Sequence, residues 1–556
     1  MKGMSEPVFS IGVDYGTNAV RVLVVRCDTG EEIGAAVYDY KHGEKGILAG
    51  KGEMHLARQS PRDYIDGLNE ALGKALAQAD GAEAFSRERI VGIGVSATAS
   101  TPVPVDREAV PLGVRDEFQE DLSAQAWLWK DHTSIAEAEE IVEVVKKKEL
   151  PYLKFYSGLM SPEWFWPKAL KFIRSAPEVV RKATAAWLEL TDLVPAYLTG
   201  VSVADDVVRG ICSAGFKGMY SEEWGGYPPK DFLKNFSEEV ARLAGRSPVF
   251  KGPGESVGSL SDEMASRYGL SRKVQVSAGI IDAHSGALGS GVGERSLVSV
   301  MGTSSCNIGL IPYERYRGPI PGISGVIKDG VVPGMYAVES GQGAVGDIFA
   351  WFVERILGGR CSHEELTERA RNMGPGETGL VALDWHNGNR NVLMDMELSG
   401  LIVGLRLDTT VEQIYRALIE ATAFGLRTII ERKKEYGYEV ENLIACGGIA
   451  KKNDLVCRIY ADVLGVPVHV AGSSEACALG AAVCGAVAGG AFQSLSAAQE
   501  KMVPKARGSF EPNLGQRGIW DEVYGIYRDR YEHYSRGGGG GDIMKSLLAL
   551  RDEAQA

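Results

Sequence analysis

The chain has 556 residues, 45% hydrophobic and 24% charged, with 60 basic against 73 acidic side chains and a net charge of −13. The length exceeds what one hydrophobic core usually supports, and the acidic balance without a basic cluster excludes a nucleic-acid grip, so two soluble globular domains are expected. Eight scattered cysteines without a Cys-x-x-Cys pair argue against a zinc knuckle or disulfide framework and fit a reducing cytoplasm; the start, MKGMSEPVF, carries no apolar signal segment.

In chain order, apolar runs at 8–13, 20–25 and 34–38 separated by turns predict an antiparallel meander. A helix-period segment follows at 61–79, then a buried strand within RIVGIGVSATAS (89–100), then a long middle section rich in tryptophan and polar helices. After a Pro/Gly-punctuated stretch at 248–258 the pattern restarts near residue 278. From there strands alternate with helices at 344–357, 410–434, 453–464 and 474–487, as in an α/β architecture with covered sheets. The most apolar stretch, 476–492, is dominated by Ala and Gly and preceded by Glu475, which predicts a tightly packed core helix rather than a membrane span. A charged helical tail and a Gly run at 537–541, expected as a flexible joint, close the chain.

The strand–Gly-Thr–strand of VDYGTNAVRVLVV (13–25) returns in VMGTSSCNIGL (300–310). One such turn is an ordinary hairpin; two copies, each opening a half of similar size, indicate two related domains presenting hairpins toward one cleft. Glycine lets backbone N–H groups approach a phosphate without a Cβ in the way. Thr17 and Thr303 add hydroxyl donors beside Gly16 and Gly302, and Asp14 can hold Mg²⁺ through water. Another buried strand ends in Gly447–Gly448, with an amphipathic helix from about Asn453; bare backbone there suits a flat ligand such as adenine, and also suits a plain strand-to-helix turn. GQGAVG (341–346) satisfies G-x-G-x-x-G and would signal a dinucleotide-binding oxidoreductase, but it lies mid-chain and leaves the paired hairpins unexplained.

WKDH (129–132), SAGFKGMY (213–220), GIIDAHSGALGSGV (279–292), MGTSSC (301–306) and ESGQGAVGDIFAWFV (339–353), in this order and over nearly the whole chain, resemble the FGGY carbohydrate kinases of the actin/Hsp70-like ATPase superfamily. The resemblance implies two ribonuclease-H-like α/β domains with mixed sheets flanked by helices and the active site between them. The boundaries expected are 8–278 (sugar and first hairpin), 279–505 (nucleotide) and 506–556 (tail). It implies ATP with Mg²⁺ against Asp14, Gly16, Thr17, Gly302, Thr303, Gly447, Gly448 and Asn453, with the helix from about residue 474 on the nucleotide side. Asp282 would be the general base, and Ala99, Lys217, Asp282 and Glu339 would hold the sugar, with Trp129–His132 bordering the same cleft or packed in the core. The branch of the family it resembles most phosphorylates L-ribulose to L-ribulose 5-phosphate in arabinose breakdown. D-ribulose, xylulose or ribitol are the alternatives, because Ser96–Ala97 stand where that branch commonly has an Asp and an aromatic, which is expected to change the wall of the sugar pocket. An actin-like ATPase without a sugar substrate is the more distant rival, and the joint presence of Asp282, Lys217 and Glu339 argues against it. The expected partners are the sugar and ATP, with no nucleic acid and no membrane; the sequence sets no oligomeric state, and a homodimer would fit.

Overall fold

The computed structural model describes residues 6–49, 55–535 and 540–555. The joint expected at 537–541 lies outside the described residues except for its last two. Contacts divide the chain into two units. The first gathers the residues up to Gly291, Ile327–Ala337 and Ser473–Pro504; the second gathers Val292–Val326, Val338–Gly472 and the residues from Lys505 on.

In the first unit, β-branched runs form β1 (Phe9–Tyr15) and β2 (Ala19–Arg26), followed by β3 (Glu32–Asp39), β4 (Ile90–Ala97), β5 (Ser256–Ser259), β6 (Gln275–Ser277) and β7 (Ile280–Ile281). The sheet order is β5-β6-β4-β1-β2-β3, with β7 also paired to β4. The first three strands form the antiparallel meander expected, and β1 runs parallel to β4. The helix Pro61–Ala79 starts on a proline at its first position, where a missing N–H costs nothing, and buries Tyr64, Leu68, Leu72, Ala75 and Ala79 along one face.

The second unit repeats the plan. The strands of its sheet are β8 (Ser296–Met301), β9 (Ser305–Pro312), β10 (Gly325–Lys328), β11 (Met335–Ser340), β12 (Asn442–Cys446), β13 (Val468–Val470) and β14 (Gly508–Phe510), in the order β10-β11-β9-β8-β12-β13-β14, although the contact division assigns Ile327–Ala337, parts of β10 and β11, to the first unit. As β1 pairs antiparallel with β2 and parallel with β4, so β8 pairs antiparallel with β9 and parallel with β12. Each Gly-Thr turn thus closes the same kind of hairpin at the same place in its sheet. The long helix Val411–Lys434 opens on a reciprocal Thr410–Gln413 capping box.

The helix Ala476–Ala488 lies in the core, as its composition predicts, but against the first unit's sheet rather than the second's. The sequence boundary at 279–505 therefore differs from the contact division. The physical reason is the absence of side chains at the crossing. A Cβ on Gly12 would sit 1.8 Å from the Ala478 carbonyl oxygen, one on Gly94 1.7 Å from that of Ala481, and one on Gly92 1.8 Å from that of Gly485. Among the described residues no helix is long and apolar enough to cross a membrane.

Candidate active site

In the first unit the register places one row of residues across four strands: Ile280 opposite Ser96, Ser96 opposite Asp14, and Asp14 opposite Arg21. Beyond this row the strands end, and Asp282, Thr98 and Gly16 follow side by side. With strands about 4.8 Å apart, Asp282 and the Gly16–Thr17 turn emerge from one sheet edge roughly 10 Å from each other.

Asp14 is buried (6% exposed) and accepts the Ser96 hydroxyl at 2.7 Å. Burial pushes its carboxyl up to about 6, against the pull of Ser96 and Arg21. Ser96 is fully buried and turned to Asp14, so the departure at this position bears on Asp14. The Gly16–Thr17 turn is braced from three sides. Tyr40 donates its hydroxyl to the Gly16 carbonyl at 3.1 Å, Gln59 donates its amide to the Thr17 carbonyl at 2.6 Å, and the indole N–H of Trp129 donates to the Thr17 hydroxyl at 3.1 Å. Trp129 therefore belongs to the hairpin, while Asp131 of the same tetrapeptide is buried against Arg58 and accepts the Ala57 N–H at 2.7 Å. His132 pairs with Glu163 at 2.7 Å, and that hydrogen bond raises its pKa.

Asp282 opens the helix Asp282–Gly289, and its Oδ1 accepts the N–H of Ala283 at 2.7 Å. Lys217, 7% exposed, lies on the helix Ile211–Gly218 with its ammonium 5.9 Å from the Trp164 ring centre. The ring of Phe216 lies 4.2 Å from that of His284, which joins the helix carrying Lys217 to the helix carrying Asp282.

The loop at Ala99 is held by two buried charges that the sequence reading did not single out. Lys168 donates to the carbonyls of Ser100 at 2.9 Å and Leu128 at 2.7 Å. Glu189 accepts the Ser100 hydroxyl and, at 2.9 Å, the Thr101 N–H. Burial pushes Lys168 down and Glu189 up, and each charge offsets part of the other's shift. A signal was present, since Lys168 interrupts a helix, Phe165–Ser175, whose neighbouring side chains are all buried.

In the second unit, the Gly302 N–H closes the turn on the Ser304 carbonyl at 2.9 Å. Gly447 sits at φ +95°, where a Cβ would meet the Met301 carbonyl oxygen at 2.4 Å, whereas Gly448 faces open space. Asn453 caps the helix Asp454–Leu464, accepting the Val456 N–H at 3.3 Å and donating to Thr367 at 3.0 Å. The glycines of GQGAVG pack backbone on backbone. A Cβ on Gly341 would lie 2.1 Å from the Ser305 carbonyl oxygen, while Val345 and Gly346 donate to the carbonyls of Thr303 and Gly302 at 2.8 and 3.0 Å. These glycines brace the second hairpin rather than a dinucleotide. Glu339, 6% exposed, is the penultimate residue of β11; burial pushes nearby Lys433 down to about 7, and Cys306 and Glu339 work against that shift.

Two mixed sheets, each closing a Gly-Thr hairpin beside a parallel strand, form a two-domain α/β architecture of the kind seen in sugar kinases. The N-terminal domain of the FGGY family of carbohydrate kinases matches residues 9–289 and its C-terminal domain residues 297–489. The chain belongs to the FGGY family of carbohydrate kinases and is a sugar kinase. It is 37% identical over 569 residues to a ribulokinase of Shouchella clausii, covering 98% of each chain. A ribulokinase of Vibrio parahaemolyticus is 34% identical over 546 residues, covering 94% of this chain and 95% of that one. Among solved structures, a xylulose kinase from Rhodospirillum rubrum shares the fold with a TM-score of 0.78 at 21% identity, over 95% of this chain and 99% of that one. Plasmodium falciparum glycerol kinase with ADP follows with a TM-score of 0.75 at 16% identity, covering 95% and 99%.

Proposed function

We propose that the protein transfers the γ-phosphoryl group of ATP to L-ribulose, giving ADP and L-ribulose 5-phosphate as an entry step of arabinose breakdown. The observation that carries this reading is identity at the level of 37% to ribulokinases along the full length, together with an aspartate, Asp282, at the sheet edge that also carries the Gly16–Thr17 turn. Phosphoryl transfer asks the protein to position, to neutralise charge and to accept one proton. In this reading Asp282 takes the proton of the attacking sugar hydroxyl. Lys217, Glu339 and the loop at Ala99 fix the other hydroxyls, since a buried hydroxyl without a partner is costly. Thr17 and Thr303 offer hydroxyl donors to phosphates beside Gly16 and Gly302, whose own N–H groups close the turns, and Gly448 offers bare backbone to the nucleoside.

Asp14 fits a Mg²⁺ ion: it is a single buried carboxylate whose ionised form burial disfavours, so a cation would stabilise it. Among the described residues no cluster of three or more His, Cys, Asp or Glu is arranged for a metal. Mg²⁺ at Asp14 would thus take its remaining ligands from phosphates and water, and it would supply charge neutralisation on the phosphates. The test is ADP release with Mg-ATP across L-ribulose, D-ribulose, both xyluloses, ribitol and glycerol. Turnover greatest on L-ribulose supports the assignment; preference for another polyol moves the substrate within the same reaction, and sugar-independent hydrolysis overturns it.

A further inference from the structure

The segment beyond residue 505, set apart in the sequence as a tail, reaches the second hairpin through a chain of buried hydrogen bonds. The helix Arg517–Tyr534 buries Tyr527 completely, and the Tyr527 hydroxyl donates to Asp384 Oδ1 at 3.0 Å. The other carboxylate oxygen of Asp384 accepts the side-chain amide of Gln342 at 2.8 Å, and the same amide donates to the Thr422 carbonyl at 2.8 Å. Gln342 in turn clasps Ser305 with its backbone: its N–H donates to the Ser305 hydroxyl at 3.0 Å and its carbonyl accepts the Ser305 N–H at 3.2 Å. Ser305 is the first residue after the turn formed by Gly302, Thr303 and Ser304. Three residues beyond Gln342, Val345 and then Gly346 donate to that turn's own carbonyls. The relay has no slack. A Cβ on Gly425 would lie 2.3 Å from the Asp384 carboxylate and 2.7 Å from the Gln342 amide nitrogen, so the helix Val411–Lys434 closes over the pair only because that residue is glycine.

We propose that Tyr527 is a positioning residue for the Gly302–Thr303 turn, acting through Asp384 and Gln342, so that the C-terminal helix sets the affinity for nucleotide. The geometry favours this over plain packing because both oxygens of one buried carboxylate are used as a pin. Without the Tyr527 hydroxyl, Asp384 keeps Gln342 as its one remaining side-chain donor among the described residues and is free to turn, taking Gln342 and the Ser305 clasp with it. The inference rests on reading the Gly302–Thr303 turn as a phosphate clamp.

The test is the Tyr527→Phe variant, which removes one oxygen, with Tyr524→Phe as control. Tyr524 lies on the same helix, but its hydroxyl donates to Glu431 at 2.6 Å, away from the relay. The expected result is a three- to tenfold rise in KM for ATP, and in the calorimetric Kd for ADP without sugar, for Tyr527→Phe alone, with KM for the sugar changed less than twofold. Asp384→Asn, which keeps the shape but weakens the pin, is expected to show the same split, and it serves should Tyr527→Phe fold poorly. Equal nucleotide affinities in wild type, Tyr527→Phe and Asp384→Asn, or equal losses in Tyr527→Phe and Tyr524→Phe, overturn the inference. Absence of sugar phosphorylation by the wild type would instead remove the kinase reading beneath it, so the two failures are distinguishable.

Discussion

Ser96 stands directly opposite Asp14 on the neighbouring parallel strand and gives its hydroxyl hydrogen to that carboxylate over 2.7 Å. The position at which this chain departs from the branch it resembles is therefore coupled to the predicted Mg²⁺ residue, two residues before the first phosphate turn. Removing the hydroxyl takes away a donor that favours the ionised carboxylate. Ser96→Ala is expected to raise the Mg²⁺ concentration needed for half-maximal activity several-fold while leaving KM for the pentulose within twofold. A Mg²⁺ titration at saturating sugar checks this, and an altered sugar preference with unchanged Mg²⁺ dependence would return Ser96 to the sugar wall.

Asp14 itself predicts a conflict between stability and activity. Its native pKa, pushed up by burial to about 6, lies above the ordinary carboxylate value of 3.8. Between these values the native state binds the proton more tightly than the unfolded chain does, so stability falls as pH rises through this window and the cost is complete above it. The rise corresponds to roughly 3 kcal/mol at neutral pH. In metal-free buffer at pH 7.5, Asp14→Asn is expected to melt above wild type, with the difference shrinking toward pH 4, while kinase activity drops by two orders of magnitude or more. Melting curves at several pH values read this; a variant less stable than wild type at pH 7.5 would contradict it.

Lys168 and Glu189 hold the Ala99 loop from inside. Lys168→Met leaves the Ser100 and Leu128 carbonyls without their donor and removes the charge that offsets Glu189. A destabilisation of about 3–5 kcal/mol is expected, with KM for the pentulose raised more than KM for ATP. In Lys168→Met/Glu189→Gln neither member of the pair is charged, so much of the stability should return while the sugar KM stays high. Urea denaturation and steady-state kinetics on both variants separate the two effects. Recovery of the sugar KM together with stability would mean the pair serves folding alone.

The crossing of the helix Ala476–Ala488 over the first sheet leaves no room for a methyl group. Gly94→Ala, with its Cβ 1.7 Å from the Ala481 carbonyl oxygen, is expected to destabilise by roughly 3 kcal/mol or more. Gly73→Ala, whose Cβ finds its nearest neighbour at 4.0 Å within a helix, should be neutral or stabilising. Thermal melts of both variants decide this.

The two hairpins were legible because the local chemistry is complete within a dozen residues: branched apolar strands around a glycine and a hydroxyl. The meander at residues 9–39, the helix beginning at Pro61 and the strand leading to Asp282 were legible for the same reason. What escaped the sequence depends on partners far along the chain. The helix Ala476–Ala488 is apolar on every side, so no periodicity says which sheet it covers, and the glycines that receive it, Gly12, Gly92 and Gly94, lie about four hundred residues earlier. GQGAVG has the spacing of a dinucleotide loop, but spacing does not reveal that its backbone faces the carbonyls of Gly302 and Thr303. Asn453, expected beside the nucleotide, also caps the helix Asp454–Leu464 and donates to Thr367, and its spacing alone does not announce that partner. Tyr527 carried no signal at all, because its partner Asp384 lies 143 residues away.

Transfer of a phosphoryl group from ATP to a ketopentose with Asp282 as base can be read from ³¹P NMR of the reaction mixture. Wild type and Asp282→Asn are incubated with Mg-ATP and L-ribulose. A new phosphomonoester resonance growing in step with ADP is expected in the wild type, and a rate at least a thousandfold lower in Asp282→Asn, roughly 4 kcal/mol in the barrier. ADP and inorganic phosphate without a sugar phosphate, or an Asp282→Asn variant as fast as wild type, would contradict it.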